Sequence, residues 1–423
     1  MIRTVTNRLI GNEKPSEIQN FIWNMMGSLM VSLSSMLLSL FVIRLIGPED
    51  GGVFAIALTL SQMLMYIAYF EMRTFQVTDA KKKYLFGEYH TAKIFLCIVM
   101  LLVSFAYVSI RQYSFEKSLV VLLVCLWKDF DGYADVYESQ FQTEERLDLA
   151  GKSMMFRTLF SLVMFFLALM ISKSLIISLV VANIIAILGV FLFDMAVMKE
   201  MDRISISFKI RKIRYLLMEC MPLFIGIFCW VYILSASRIA IDNNMSSVYQ
   251  SYYQILFLPV SVINLFAGFI FKPLLPKLAM FYEKGENNKF YGIIGKGIIC
   301  LGGITVICVL GAYLLGVPVL SFLSGCDLKP YKNILIFLIF AGGINAIDLT
   351  LYYVLTILRA ADAILADYII AAITAFLISN PMVKAFGIKG AAGSYFIVNI
   401  VMCIMFSISI MRKNRIRDKV YRK

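Results

Sequence analysis

Charge is scarce in this 423-residue sequence. Only 16% of residues are Asp, Glu, Lys or Arg, and there is one histidine, His90. Soluble domains carry about 25% charged residues. Here 60% of residues are hydrophobic and the mean hydropathy is +0.81. Too little polar surface exists to coat soluble domains, so soluble dehydrogenases, kinases and hydrolases are excluded. The eight cysteines form no CxxC or Cys/His cluster, and all but Cys326 fall in apolar stretches. That speaks against a zinc site or a disulfide framework. No nucleotide loop occurs either. Gly151-Lys152-Ser153 ends like a P-loop, but Arg146 stands where that motif requires glycine. The sequence therefore offers no ATP site as an energy source, which leaves ion or substrate gradients.

Long apolar runs dominate instead. A spanning helix needs roughly 20 mostly apolar residues, and twelve runs qualify, near 22–43, 51–70, 91–110, 118–139, 155–172, 174–197, 216–240, 250–271, 293–316, 332–357, 364–381 and 388–411. The first is too long for a signal-peptide core and lacks a small-residue cleavage site. Cytoplasmic loops collect Lys and Arg. With a cytoplasmic N-terminus, 30 of the 40 basic residues lie inside, nine lie outside, and Lys128 falls within a span. Both termini are then cytoplasmic. The net charge of +13 needs no nucleic-acid partner. The outer loops are too short to fold a catalytic domain.

A basic stretch, 198–214, divides the runs six and six. It reads as a cytoplasmic linker between an N-terminal six-helix bundle, 1–197, and a C-terminal one, 215–423, that ends in a basic tail. The halves echo each other weakly. Arg44-Leu45-Ile46-Gly47 closes the first run and Arg238-Ile239-Ala240-Ile241 the seventh; a short turn and a hydrophobe–aromatic pair (Val53-Phe54, Val248-Tyr249) follow each. Repeated bundles of this kind are common in secondary transporters.

Particular residues sharpen this. Asn20-Phe21-Ile22-Trp23-Asn24, Gly27 and Arg44-Leu45-Ile46-Gly47-Pro48-Glu49-Asp50-Gly51 resemble bacterial polysaccharide biosynthesis proteins. So do Phe75-Gln76-Val77-Thr78-Asp79 and Leu147-Asp148-Leu149-Ala150-Gly151-Lys152. That family holds the O-antigen and capsule flippases of the multidrug/oligosaccharidyl-lipid/polysaccharide exporter superfamily. The resemblance implies an all-α polytopic membrane protein whose twelve helices form two six-helix bundles around a V-shaped central cavity. It also implies passage of undecaprenyl-diphosphate-linked oligosaccharide from the cytoplasmic to the outer leaflet of a bacterial inner membrane. Peptidoglycan-precursor flippases usually have fourteen spans, so twelve favours the polysaccharide branch.

Ionisable residues within spans are costly and usually face a cavity or a partner. The fourth run is apolar over 119–127, which rises only ~14 Å. Lys128, Asp131, Asp135 and Glu138 then follow on one helical face. Either this face enters a water-filled vestibule, or the span begins later and the face is solvated. Arg44, Arg73, Lys128, Arg238 and Lys272 are candidates to hold the diphosphate, because cations bind phosphate oxygens; snorkelling to head groups is the alternative for each. Tyr352 is a candidate to stack on sugar. Asp348 lies deep in the tenth run. With Asp131 and Asp135 it is a candidate coupling or cavity carboxylate, for a proton or a sodium ion, or else half of a structural ion pair.

The expected function is thus non-enzymatic: a flippase for a polyprenyl-diphosphate-linked glycan without a resident cofactor, working by alternating access among membrane lipids, with a polysaccharide polymerase and chain-length machinery as protein partners. An ion-coupled multidrug exporter of the same superfamily and a membrane polymerase or glycosyltransferase are the alternatives.

Overall fold

A computed structural model gives the structure of residues 6, 9–11, 15–79, 82–201, 204–271 and 274–421, the side chains of 265, 269 and 415–421 excepted. Every long element among them is a helix: α1 (Glu17–Ile46), α2 (Pro48–Tyr69), α3 (Met72–Thr78), α4 (Phe86–Arg111), α5 (Phe115–Thr143), α6 (Leu147–Ser172), α7 (Leu175–Met201), α8 (Ile210–Asn244), α9 (Ser247–Phe271), α10 (Leu275–Glu283), α11 (Asn287–Ser324), α12 (Lys332–Ile357) and α13 (Ala361–Tyr421).

Among the described residues, ten stretches are long and apolar enough to cross a membrane. Two features account for the difference from twelve. The run 361–414 counts as one stretch, but its backbone breaks at Gly387, where φ is 58° and ψ −137°. That break falls between the two expected spans. Helix α5 is not among the ten. It is one unbroken helix of 29 residues, and the charged residues of its second half are largely buried inside protein. The chain is an all-α, multi-pass membrane protein. Large apolar side chains such as Phe105, Ile171 and Phe376 point outward, as lipid-facing side chains do.

The chain divides into two compact units, Met1–Phe228 and Cys229–Lys423. The division falls inside α8, because Leu216 and Cys220 are buried in a core with Tyr89, Tyr137 and Leu149 of unit 1. In unit 1, α1 packs on α6, α2 on α5, and α6 on α7. In unit 2, α12 packs on α9, α11 and α13.

Several of the residues that carry the family resemblance turn out to be fasteners. The Asn20 side chain accepts from the Asp148 backbone N–H (2.8 Å) and donates to the Glu145 carbonyl (3.1 Å), tying α1 to the start of α6. Beside them Gly27 and Gly151 let the two helices touch. A Cβ on Gly151 would lie 2.3 Å from the Trp23 carbonyl. Gln76 bonds Gln140 and the Val136 carbonyl across to α5. Asp79 accepts from the Lys83 and Tyr84 backbone N–H groups, each at 2.9 Å. Burial pushes its carboxyl up, but these bonds outweigh it and hold the group below the usual carboxylate range. Gly151→Leu should consequently part α1 from α6. Overpacking costs about 1–3 kcal/mol, more where backbone must move, and the expected result is a clearly lower thermal unfolding temperature in detergent. An unshifted transition would mean that the crossing relaxes freely.

Candidate functional site

Unit 1 holds a charge network built on α5. Residues three and four apart share a helix face, so Lys128, Asp131, Asp135 and Glu138 point the same way. Lys128 Nζ lies 3.0 Å from Asp131. Arg157, on α6, reaches Asp131 (3.3 Å), Glu138 (2.9 Å) and Asp194 (2.9 Å). Ser153 donates to Asp194 (2.5 Å) and accepts from Arg157 (3.0 Å). On the other side Lys93, from α4, bonds Asp135 (2.9 Å) and the Ala68 and Tyr69 carbonyls at the end of α2. Carbonyls in a last helical turn lack N–H donors within the helix, and a cation suits them.

Backbone irregularities aim two of these groups. Asp194 lies in a π-helical stretch of α7, Val190–Met195, a distortion often found at functional sites. Arg73 lies on α3, separated from α2 by Phe70 and Glu71, both left-handed at φ 48° and 51°. Its guanidinium reaches Asp135 (3.4 Å), Glu138 (3.3 Å) and the Gln142 side chain. A cavity of about 500 Å³ opens here, lined by Tyr66, Tyr69, Glu71, Arg73, Asp135 and Glu138 among others.

Unit 2 holds a second cavity, of about 480 Å³, within its own helices, mostly apolar with a few polar groups. Asn264 of α9 donates to Asn345 of α12 (2.8 Å), which donates to Asn399 of α13 (2.7 Å). Asp348 lies one turn beyond Asn345, 1% exposed, with the Cys403 thiol beside it. Neither carboxylate oxygen has a partner of good hydrogen-bond geometry, and no ion pair to Asp348 forms among the described residues. Tyr353 and Tyr368 line this cavity.

The structure thus gathers Arg73, Lys128, Asp131 and Asp135 into one cluster. The fourth run's charged face is not solvated surface: Lys128 and Asp135 are each 6% exposed. The cations in the cluster are already paired with carboxylates. Arg44 and Arg238, matched in sequence, stand in different surroundings. Arg44 is exposed in the last turn of α1. Arg238 lies further inside α8, its guanidinium carbon 4.3 Å from the centre of the Phe257 ring, a cation–π contact. Tyr352 packs at a tilt against Tyr353 and Tyr368 and is not itself among the cavity-lining residues. Lys272 lies outside the described residues. Lys93, Arg157 and Asp194 join the cluster without being sequence candidates for it. Of the three, Asp194 alone carries a signal in the sequence, as a lone acid in an apolar run.

The comparisons agree with the resemblance. The chain is 25% identical over 327 residues to the capsular polysaccharide biosynthesis protein CapF of Staphylococcus aureus, covering 76% of this chain and 81% of that one. Its fold is similar to that of the lipid II flippase MurJ in an inward closed conformation, with a TM-score of 0.69 at 13% identity over 92% of this chain and 87% of that one. It is also similar to a point mutant of the MATE transporter VcmN of Vibrio cholerae, with a TM-score of 0.57 at 13% identity over 98% of each chain. No protein-family model matches. The chain therefore shares the fold of flippases and exporters, and its sequence resembles that of a capsule biosynthesis protein.

Proposed function

We propose that this protein is a flippase that moves a polyprenyl-diphosphate-linked oligosaccharide from the cytoplasmic to the outer leaflet of a bacterial cell membrane, for export of a surface polysaccharide. The observation that carries this reading is the likeness to CapF, which extends over most of both chains. The shared fold with a lipid flippase supports it. So do the buried charges: each unit keeps ionisable groups at a cavity inside its helices, where lipid would exclude them. The charge asymmetry of the loops supports a cytoplasmic position for both termini. A polysaccharide polymerase and its chain-length partner are the expected neighbours, and no catalytic chemistry is assigned to the chain.

A buried carboxylate without a cation needs a proton or a small cation to neutralise it. Asp348, which shares its cavity with Asn264 and Asn345, is accordingly the proposed coupling site for a proton or sodium ion. One observation favours a second reading. Glu71, Asp135 and Glu138 line the unit-1 cavity, and among the described lining residues Arg73 is the one cation; acidic cavities suit cationic drugs. Reconstituted vesicles separate the two. Polyprenyl-diphosphate oligosaccharide loaded in one leaflet should become accessible to a membrane-impermeant enzyme on the other side, without efflux of a cationic dye. Dye efflux without lipid movement would establish the drug exporter instead.

A further inference from the structure

Arg73 differs from the other cations of its network in three ways. Its bonds to Asp135 and Glu138 are 3.4 and 3.3 Å, whereas Lys93 and Arg157 hold the same two carboxylates at 2.9 Å. Charge-assisted bonds are normally about 2.7–2.9 Å, so Arg73 is the loosely held partner. Its side chain is 32% exposed, against 1% for Lys93 and 3% for Arg157. It is also carried on a seven-residue helix hinged at two left-handed, non-glycine residues, a conformation that stores strain.

The charges around it are nearly balanced. Asp135 is faced by Lys93 from α4 and by Arg73 from α3. Glu138 is faced by Arg157 from α6 and by Arg73, with Asp194 of α7 on the far side of Arg157. Asp131, on the same face of α5, is held by Lys128 and Arg157. Tyr66 and Tyr69 of α2, with Glu71 in the turn before α3, complete the surroundings. Four cations therefore meet four carboxylates, with Glu71 a further acid at the rim. An anion entering alone would meet repulsion, and drawing Arg73 away would leave a buried negative charge uncompensated, which is strongly unfavourable.

We propose that Arg73 is an exchangeable cation: a phosphate-type anion draws it off Asp135 and Glu138, and a proton takes its place on that carboxylate pair. Binding of the anion and uptake of the proton are then one event. This rests on the diphosphate reading above and adds how that binding is linked to protons. Guanidinium suits the role, because it binds phosphate oxygens through a two-pronged fork and keeps its charge throughout.

The test uses the purified full-length chain in nanodiscs and inorganic pyrophosphate as probe. Titration calorimetry in two buffers of different ionisation heat counts protons taken up per anion bound. The wild type should take up about one proton more than Glu138→Gln. Asp135→Asn should behave likewise and serves as the second variant. Arg73→Gln should bind pyrophosphate at least tenfold more weakly. Equal proton counts in the wild type and both carboxamide variants would overturn the exchange and leave the diphosphate reading standing. Undetectable pyrophosphate binding, or binding indifferent to Arg73→Gln, would remove both, and a cationic dye that bound with proton release would then mark the cavity as a cation site.

Discussion

Arg157→Met should leave little folded protein in the membrane. Arg157 is 3% exposed and is the shared partner of Asp131, Glu138 and Asp194. Removing one side of a buried ion pair costs about 3–5 kcal/mol, and here three carboxylates lose a partner at once. Whole domains are stable by only about 5–15 kcal/mol, so this single change removes a large part of the margin. Arg157→Lys keeps the charge but cannot reach all three acids with one ammonium, and it should fall between. The measurement is the yield of monodisperse protein after extraction, with a thermal transition on what remains. Wild-type yield for Arg157→Met would show that water already enters the network and supports the charges.

Asp348→Asn should act the other way, leaving the fold intact and the energetics of transport changed. An amide matches the carboxylate in size and joins a chain of amides, Asn264, Asn345 and Asn399, that already bond one another. Stability should stay level or rise, because no buried charge remains. Lipid translocation in vesicles should lose its response to an imposed proton or sodium gradient. A gradient response equal to that of the wild type would make Asp348 structural. The two substitutions thus contrast a carboxylate network held by cations with a carboxylate that no cation among the described residues holds.

The transmembrane layout is legible because the bilayer demands long apolar runs, and that demand is written residue by residue. Helix α5 shows the limit. Its run at 118–139 is legible although its second half is charged, and the spacing of Lys128, Asp131, Asp135 and Glu138 puts those charges on one face. Which partners meet that face is not legible. Lys93 and Arg157 sit near the ends of apolar runs, where counting loop charges assigns them to the cytoplasm. Such a count carries no information on depth, and only packing shows that both side chains turn inward. The family motifs are legible as a resemblance, but their physical roles are not. Asn20, Gly27, Gln76, Asp79 and Gly151 mark where helices cross or caps close, so their signal concerns assembly rather than substrate. Asp348 stands out as a lone acid in an apolar run, and its surroundings of amides come only from the fold.

The π-helical stretch of α7 has one consequence for how such chains can vary in length. A π turn holds about one residue more than an α turn, and each residue turns an α-helix by about 100°. Deleting one residue between 190 and 193 would restore a regular helix without turning the helix beyond it, but Asp194, inside the widened turn, would lose the direction that the turn gives it toward Arg157. Every amino acid of the network would still be present, yet the network would lose a member. The widened turn, and not only residue identity, is what keeps the four carboxylates together, and a relative with one residue fewer at this point should carry a compensating change at the position of Arg157.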